Sequence, residues 1–188
     1  MEIKNKTILF LGSSVTYGSA AGGVSFVDMI SELCGANCIK EAVSGTTLVD
    51  IGKASYVSRL KAIGKNLKPD LFVCRLSTND ASKKLDINEI EKAICFILSY
   101  VKSTFACPIA FYTGTYYESG EYEKMVKLLH DLKKNYDFHI LDLYNDEEMR
   151  AVSDEDYRRY MKDKIHPTLI GYKDWWTPKF IDFLNRIP

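Results

Sequence analysis

Apolar runs of four to seven residues alternate along this chain with longer stretches whose apolar positions recur every three or four residues. The first pattern predicts buried strands and the second predicts helices that cover them. Strands are expected over Thr7 to Leu11, Asn37 to Glu41 (a weak one), Asp70 to Leu76, Pro108 to Thr113 and Phe138 to Leu143. Helices are expected over Val24 to Leu33, with Phe26, Val27, Ile30 and Leu33 on one face, and over Leu48 to Asn66, closed before Pro69. Asp86 to Lys102 is the clearest helix, capped by Asp86 and with Ile90, Ala93, Ile94, Ile97 and Leu98 at helical spacing. Glu118 to Tyr136 follows, and Thr168 to Leu184 closes the chain with a kink or break at Pro178. This alternation implies a three-layer α/β/α sandwich with about five parallel strands, in one domain spanning residues 1–188. No insertion between strands looks long enough for a lid, which predicts an open crevice.

A chain of 188 residues can bury roughly 70% of the surface its unfolded form exposes, so folding requires neither metal nor disulfide. Lys plus Arg and Asp plus Glu each number 25, with no run of five like charges, which argues against a nucleic-acid footprint or a basic membrane-surface helix. No window approaches the roughly 20 apolar residues of a membrane span, and the apolar run before Gly12 is too short for a signal peptide. The five cysteines are odd in number and form no C-x-x-C pair, which suits reduced thiols in a cytoplasm. Cys34 and Cys38 could supply half of a zinc site, but no second Cys or His pair stands near, so no metal is expected.

The candidate chemistry lies where predicted strands end. Gly12-Ser13-Ser14-Val15-Thr16-Tyr17-Gly18 follows the first strand, Ser44-Gly45-Thr46 the second, Ser77-Thr78-Asn79-Asp80 the third, and the loop through Tyr116 and Tyr117 the fourth. In open α/β sheets ligands bind outside the carboxyl ends of the strands, so these loops should share one crevice. The first loop could equally cradle phosphate on backbone N–H groups, although it has neither G-x-G-x-x-G order nor a G-K-[ST] ending. Asp163-Lys164-Ile165-His166-Pro167 shifts the balance, because a spacing of three lets a carboxylate accept from Nδ1–H and leaves Nε2 free to take a serine proton. His130 and His139 have no Asp three residues before them and read as structural or solvated. Asn79 can place a side-chain amide where negative charge develops, and Gly45 a backbone N–H. Ser13 and Ser14 both precede a helix, and chemistry alone does not choose between them.

The blocks G-S-S-V-T-Y-G, A-V-S-G-T-T, S-T-N-D and D-K-I-H-P-T-L-I-G-Y, in this order over residues 12 to 172, resemble the SGNH hydrolase superfamily, also called GDSL esterases or lipases. The resemblance implies a flavodoxin-like sheet, Ser14 as nucleophile, His166 as base and Asp163 as its orienting carboxylate. It also implies an oxyanion hole of Ser14 N–H, Gly45 N–H and Asn79 Nδ2, with no cofactor and a small-molecule ester as substrate. Ser13 stands where the family's name has Asp, Ser77 where it usually has Gly, and Lys40 or Glu41 where many relatives carry Asn. Tyr17, Tyr112, Tyr116 and Tyr117 are expected near the mouth, where they could stack on a sugar or flank a short acyl chain, or simply pack. A short-acyl esterase, with a carbohydrate deacetylase as the narrower form, is the expected activity. A lysophospholipase, a thioesterase or a non-catalytic binding module are the alternatives.

Overall fold

The computed structural model describes residues 2–188. Five strands, β1 (Thr7–Gly12), β2 (Asn37–Ala42), β3 (Leu71–Arg75), β4 (Ile109–Tyr112) and β5 (His139–Leu141), form one sheet in the order β2-β1-β3-β4-β5. Every pairing is parallel, with Ile8 opposite Cys38 on one side and Leu71 on the other. The observed order therefore reverses direction between β1 and β3, the switch point at which open α/β sheets leave a crevice.

Alternation along the strands assigns each residue to one of two cores. Leu9, Leu11, Phe72, Cys74 and Phe111 point toward α3 (Tyr56–Ala62), α5 (Ile87–Thr104) and α6 (Gly120–Lys133). Ile8, Phe10, Leu71, Val73 and Tyr112 point toward α2 (Phe26–Cys34) and the closing helix α9 (Thr177–Arg186). On that second face Phe26 and Phe180 stack with ring centroids 3.9 Å apart, and Trp176 and Tyr172 close around them. Caps fix where the helices begin: Ser25 and Asp28 form a reciprocal capping box on α2, and the Asp86 carboxylate accepts from Asn88 N–H at 2.8 Å.

Four expectations need correction. Leu33 is exposed rather than packed, so the buried face of α2 is Phe26, Val27 and Ile30. Leu48 to Asn66 is not one helix. Leu48 and Val49 donate their N–H groups to the Asp80 carboxylate and Tyr56 donates to Thr47 O, so only the part capped by Ser55 is helical. The closing helix does not break at Pro178. A wide turn over Gly171–Trp176 precedes it, in which Thr177 N–H reaches back five residues to Tyr172 O, and Pro178 falls in the first turn of α9, where a missing donor costs least. Finally, the crevice is not bare on the β4 side: α7 (Glu147–Arg150) and α8 (Asp154–Tyr160), in a stretch whose pattern gave no element, form a wall there.

Candidate active site

α1 (Ser14–Tyr17) starts directly after β1, with Ser13 as its cap residue. Ser14 is therefore the first residue of the helix, and its side chain faces the loop that follows α8. Its Oγ lies 2.9 Å from His166 Nε2. On the other side of the ring, His166 Nδ1 is 2.8 Å from Asp163 Oδ2 and 3.0 Å from Oδ1. Asp163 Oδ1 also accepts the N–H groups of Ile165 and His166, both at 2.8 Å, so the carboxylate folds its own loop into a turn that aims the imidazole. Partial burial pulls the Asp163 carboxyl upward, but these hydrogen bonds outweigh it and hold the group below its ordinary range, ionised and able only to accept. That leaves Nδ1 as the donor and Nε2 as the acceptor facing Ser14.

The structure separates the two adjacent serines. Ser13 is buried beside Tyr56 and makes no hydrogen bond to the histidine.

Gly45 and Asn79 arrive at the same edge from β2 and β3. Gly45 has φ +78°, the left-handed region, and a Cβ there would meet nothing within 4 Å. Its need for glycine is thus one of backbone conformation and not of crowding by protein atoms. Asn79 lies in the short helix α4 (Thr78–Ser82) and donates one Nδ2 hydrogen to Thr46 O at 2.8 Å, which fixes the amide plane and keeps its second hydrogen available.

Several residues that the motifs did not single out hold these loops together. Asp80 receives Leu48 N–H at 2.9 Å and Val49 N–H at 3.1 Å. Arg59, nearly buried, donates to Gly12 O at 2.7 Å, to Glu41 O and Oε1 at 3.0 Å each, and to Ala54 O at 2.9 Å. One guanidinium thereby ties the ends of β1 and β2 to α3, and Glu41 supplies part of its anchorage. Thr16 Oγ1 meets Tyr112 Oη at 2.6 Å, and Tyr172 Oη donates to Val15 O at 2.7 Å, pinning α1 from below. A sequence signal existed for Asp80, which adjoins Asn79. Arg59 lay in a helical pattern that reads as ordinary packing, and Tyr172 ends the D-K-I-H-P-T-L-I-G-Y block with no role assigned to it.

The tyrosines divide. Tyr112 is fully buried under α1 and does not reach the mouth. Tyr17 is half-exposed and leans on Lys40, whose Nζ is 5.8 Å from its ring centroid. Tyr116 and Tyr117 line a cavity of about 320 Å³ together with Tyr157, Trp175, Met149 and Lys164. Arg150 sits over the Tyr116 ring at 4.1 Å, and Tyr117 packs on Tyr122 with centroids 5.3 Å apart. Trp175 belongs to this cavity wall, against Tyr160, whereas Trp176 is fully buried in the core.

A parallel sheet in this order carries, at its switch-point edge, a hydrogen-bonded chain from Ser14 through His166 to Asp163. The chain belongs to the GDSL-like lipase/acylhydrolase family, whose family model matches residues 10–173. Solved structures similar to it include a protein from Lactobacillus plantarum (18% identity, 97% of each chain covered, TM-score 0.77). Another is a member of the lipolytic G-D-S-L family from Veillonella parvula (14% identity, 96% of this chain and 99% of that one, TM-score 0.74). A third is AlinE4, an SGNH-hydrolase family esterase (21% identity, 98% of each chain, TM-score 0.63). At these identities the likeness is one of fold. A search of curated proteins finds no match. No helix among the described residues is long and apolar enough to cross a membrane.

Proposed function

We infer that this acylhydrolase is a serine esterase that cleaves short-chain, acetyl-type esters through an acyl-enzyme on Ser14, with a carbohydrate as the alcohol portion. The observation that carries the reading is the 2.9 Å approach of Ser14 Oγ to His166 Nε2 with Asp163 on the opposite nitrogen. In the proposed course the Ser14 hydroxyl proton passes to Nε2 as Oγ bonds to the ester carbonyl carbon. The carbonyl oxygen takes up the negative charge, facing the N–H groups of Ser14 and Gly45 and the second amide hydrogen of Asn79. Collapse breaks the C–O bond to the alcohol, which leaves with the proton from Nε2. Water then gives a proton to the same nitrogen, attacks the acyl carbon and releases the acid and free Ser14.

The cavity supports the choice of alcohol. Tyr116, Tyr117, Tyr157 and Trp175 offer aromatic faces, while Glu118, Arg150, Asp154 and Lys164 stand among them as hydrogen-bonding groups. A sugar ring needs both, apolar faces for its C–H surface and polar groups for its hydroxyls. A hydrocarbon alcohol portion in the same cavity would leave those four charged side chains facing it, at considerable cost.

A fluorophosphonate probe is expected to label the wild-type protein and not Ser14→Ala; equal labelling, or full turnover by the variant, would overturn the nucleophile assignment. Across p-nitrophenyl esters from acetate to palmitate, kcat/KM should fall steeply beyond butyrate. A maximum at long chains would instead favour a lipid substrate.

A further inference from the structure

Arg59 is the side chain on which the strand-end loops of the site converge. It stands in α3, nearly buried, with its guanidinium carbon 5.2 Å from the centroid of the Tyr56 ring. A guanidinium has five N–H hydrogens, and here each has an acceptor. Nε donates to Ala54 O at 2.9 Å, and Nη1 to Glu41 O and Oε1 at 3.0 Å each. Nη2 donates to Gly12 O at 2.7 Å and to Thr46 Oγ1 at 3.2 Å. The Glu41 carboxylate balances the charge, and the other four bonds fix geometry.

The two Nη2 bonds reach the two loops that carry the chemistry. Gly12 precedes the Ser13-Ser14 turn, and its carbonyl also receives Val43 N–H at 3.3 Å. Thr46 follows Gly45, and its hydroxyl gives its own hydrogen to Val43 O at 2.7 Å, closing the turn in which Gly45 takes φ +78°. The Thr46 carbonyl receives Asn79 Nδ2 at 2.8 Å. One nitrogen thus stands between the Ser14 turn and the Gly45 turn, and the Gly45 turn in turn holds the Asn79 amide. A lysine could not replace it, because an ammonium is a single point with three donors and lacks the planar fork that spans these acceptors.

We propose that Arg59 is a positioning residue for ester hydrolysis: its Nη2 sets the Ser14 turn against the turn through Gly45 and Thr46, and thereby the mutual placement of the oxyanion donors. This role rests on the reading of Ser14 N–H, Gly45 N–H and Asn79 Nδ2 as those donors. Arg59 itself touches no reacting atom. Donors of this kind act on charge that exists only in the transition state, so displacing them lowers kcat and leaves KM nearly unchanged.

The test measures kcat and KM for p-nitrophenyl acetate in the full-length wild-type protein and in Ser14→Ala, Arg59→Lys, Thr46→Val, Thr46→Ser and Asn79→Ala. Two double variants pair Thr46→Val with Arg59→Lys and with Asn79→Ala. Rates are normalised to the folded fraction from far-UV circular dichroism, so that lost stability does not read as lost kcat. Arg59→Lys should lower kcat by about 10–10²-fold and Thr46→Val by about tenfold, with KM within about twofold of wild type. Thr46→Ser, which keeps the hydroxyl, should restore kcat to within about twofold. Thr46→Val should cost less than about threefold more in either the Arg59→Lys or the Asn79→Ala background, because the placement it supports is already lost. An unchanged kcat in Thr46→Val, or losses that multiply in the double variants while Ser14→Ala is inactive, would overturn the role of Arg59 alone. The first of these outcomes decides the matter even if Arg59→Lys does not fold. Full turnover by Ser14→Ala, or none by the wild type, would remove the reading of the site and this role with it.

Discussion

Ser13 and Ser14 carry the same hydroxyl one residue apart, and their surroundings give them different chemistry. Ser14 Oγ has a histidine nitrogen at 2.9 Å, whereas Ser13 Oγ is sealed beside Tyr56. The contributions around Ser14 should separate by substitution. Asp163→Asn keeps the imidazole but removes the acceptor that sets its tautomer, so kcat should fall by up to about 10⁴ and by less than in Ser14→Ala. On the proposed reading Asn79→Ala should cost about 10²–10³ in kcat with a much smaller change in KM, because an oxyanion donor acts on charge that exists only in the transition state. A KM effect equal to the kcat effect would mean that Asn79 binds the ground state.

At the scale of elements, the start of the sheet is held by a reciprocal pair. Thr7 N–H donates to Asp70 Oδ2 at 2.8 Å, and Asp70 N–H donates to Thr7 O at 2.7 Å, so the turn before β3 is locked to the first residue of β1. The Thr7 N–H and Lys6 hold the Asp70 carboxyl below its ordinary range despite partial desolvation. A depressed folded value means that the ionised form is favoured by folding. Its stabilising effect is therefore complete above the unfolded value of about 3.9 and is lost as pH falls through the folded one. Asp70→Asn should lower Tm by roughly 1–3 °C at pH 7, a small amount because the pair is partly exposed. The difference from wild type should shrink as pH drops below about 4. A difference independent of pH would assign the effect to the lost N–H contact alone. The elements also show where pattern and structure part. α5 begins at the cap its sequence advertises, and five residues at helical spacing decide its buried face. Residues 48–55 have a comparable pattern but are not helical: the Asp80 carboxylate, 32 and 31 residues away, holds the Leu48 and Val49 N–H groups, and Tyr56 N–H goes to Thr47 O.

Across the whole molecule, the two cores differ in what they support. The face built on Phe26, Phe180, Tyr172, Trp176 and Tyr112 lies beneath α1, so its packing and the position of Ser14 are coupled. Phe26→Ala removes a ring stacked at 3.9 Å on Phe180 and edge-on to Tyr112, and should cost about 3–5 kcal/mol in urea unfolding. A loss under about 1 kcal/mol would show that the core collapses around the gap. The sequence by itself determined the parallel sheet, the strand-end loops that carry Ser14, Gly45 and Asn79, and the three-residue spacing of Asp163 and His166, because strand alternation, caps and short-range spacing are properties of neighbouring residues. Only the tertiary structure showed why Ser14 and not Ser13 meets the histidine, moved Tyr112 from the mouth to the core, walled the cavity with α7 and α8, and gave Arg59 its five hydrogen bonds. Each of these depends on which side chains meet across tens of residues of chain, and local periodicity does not encode that.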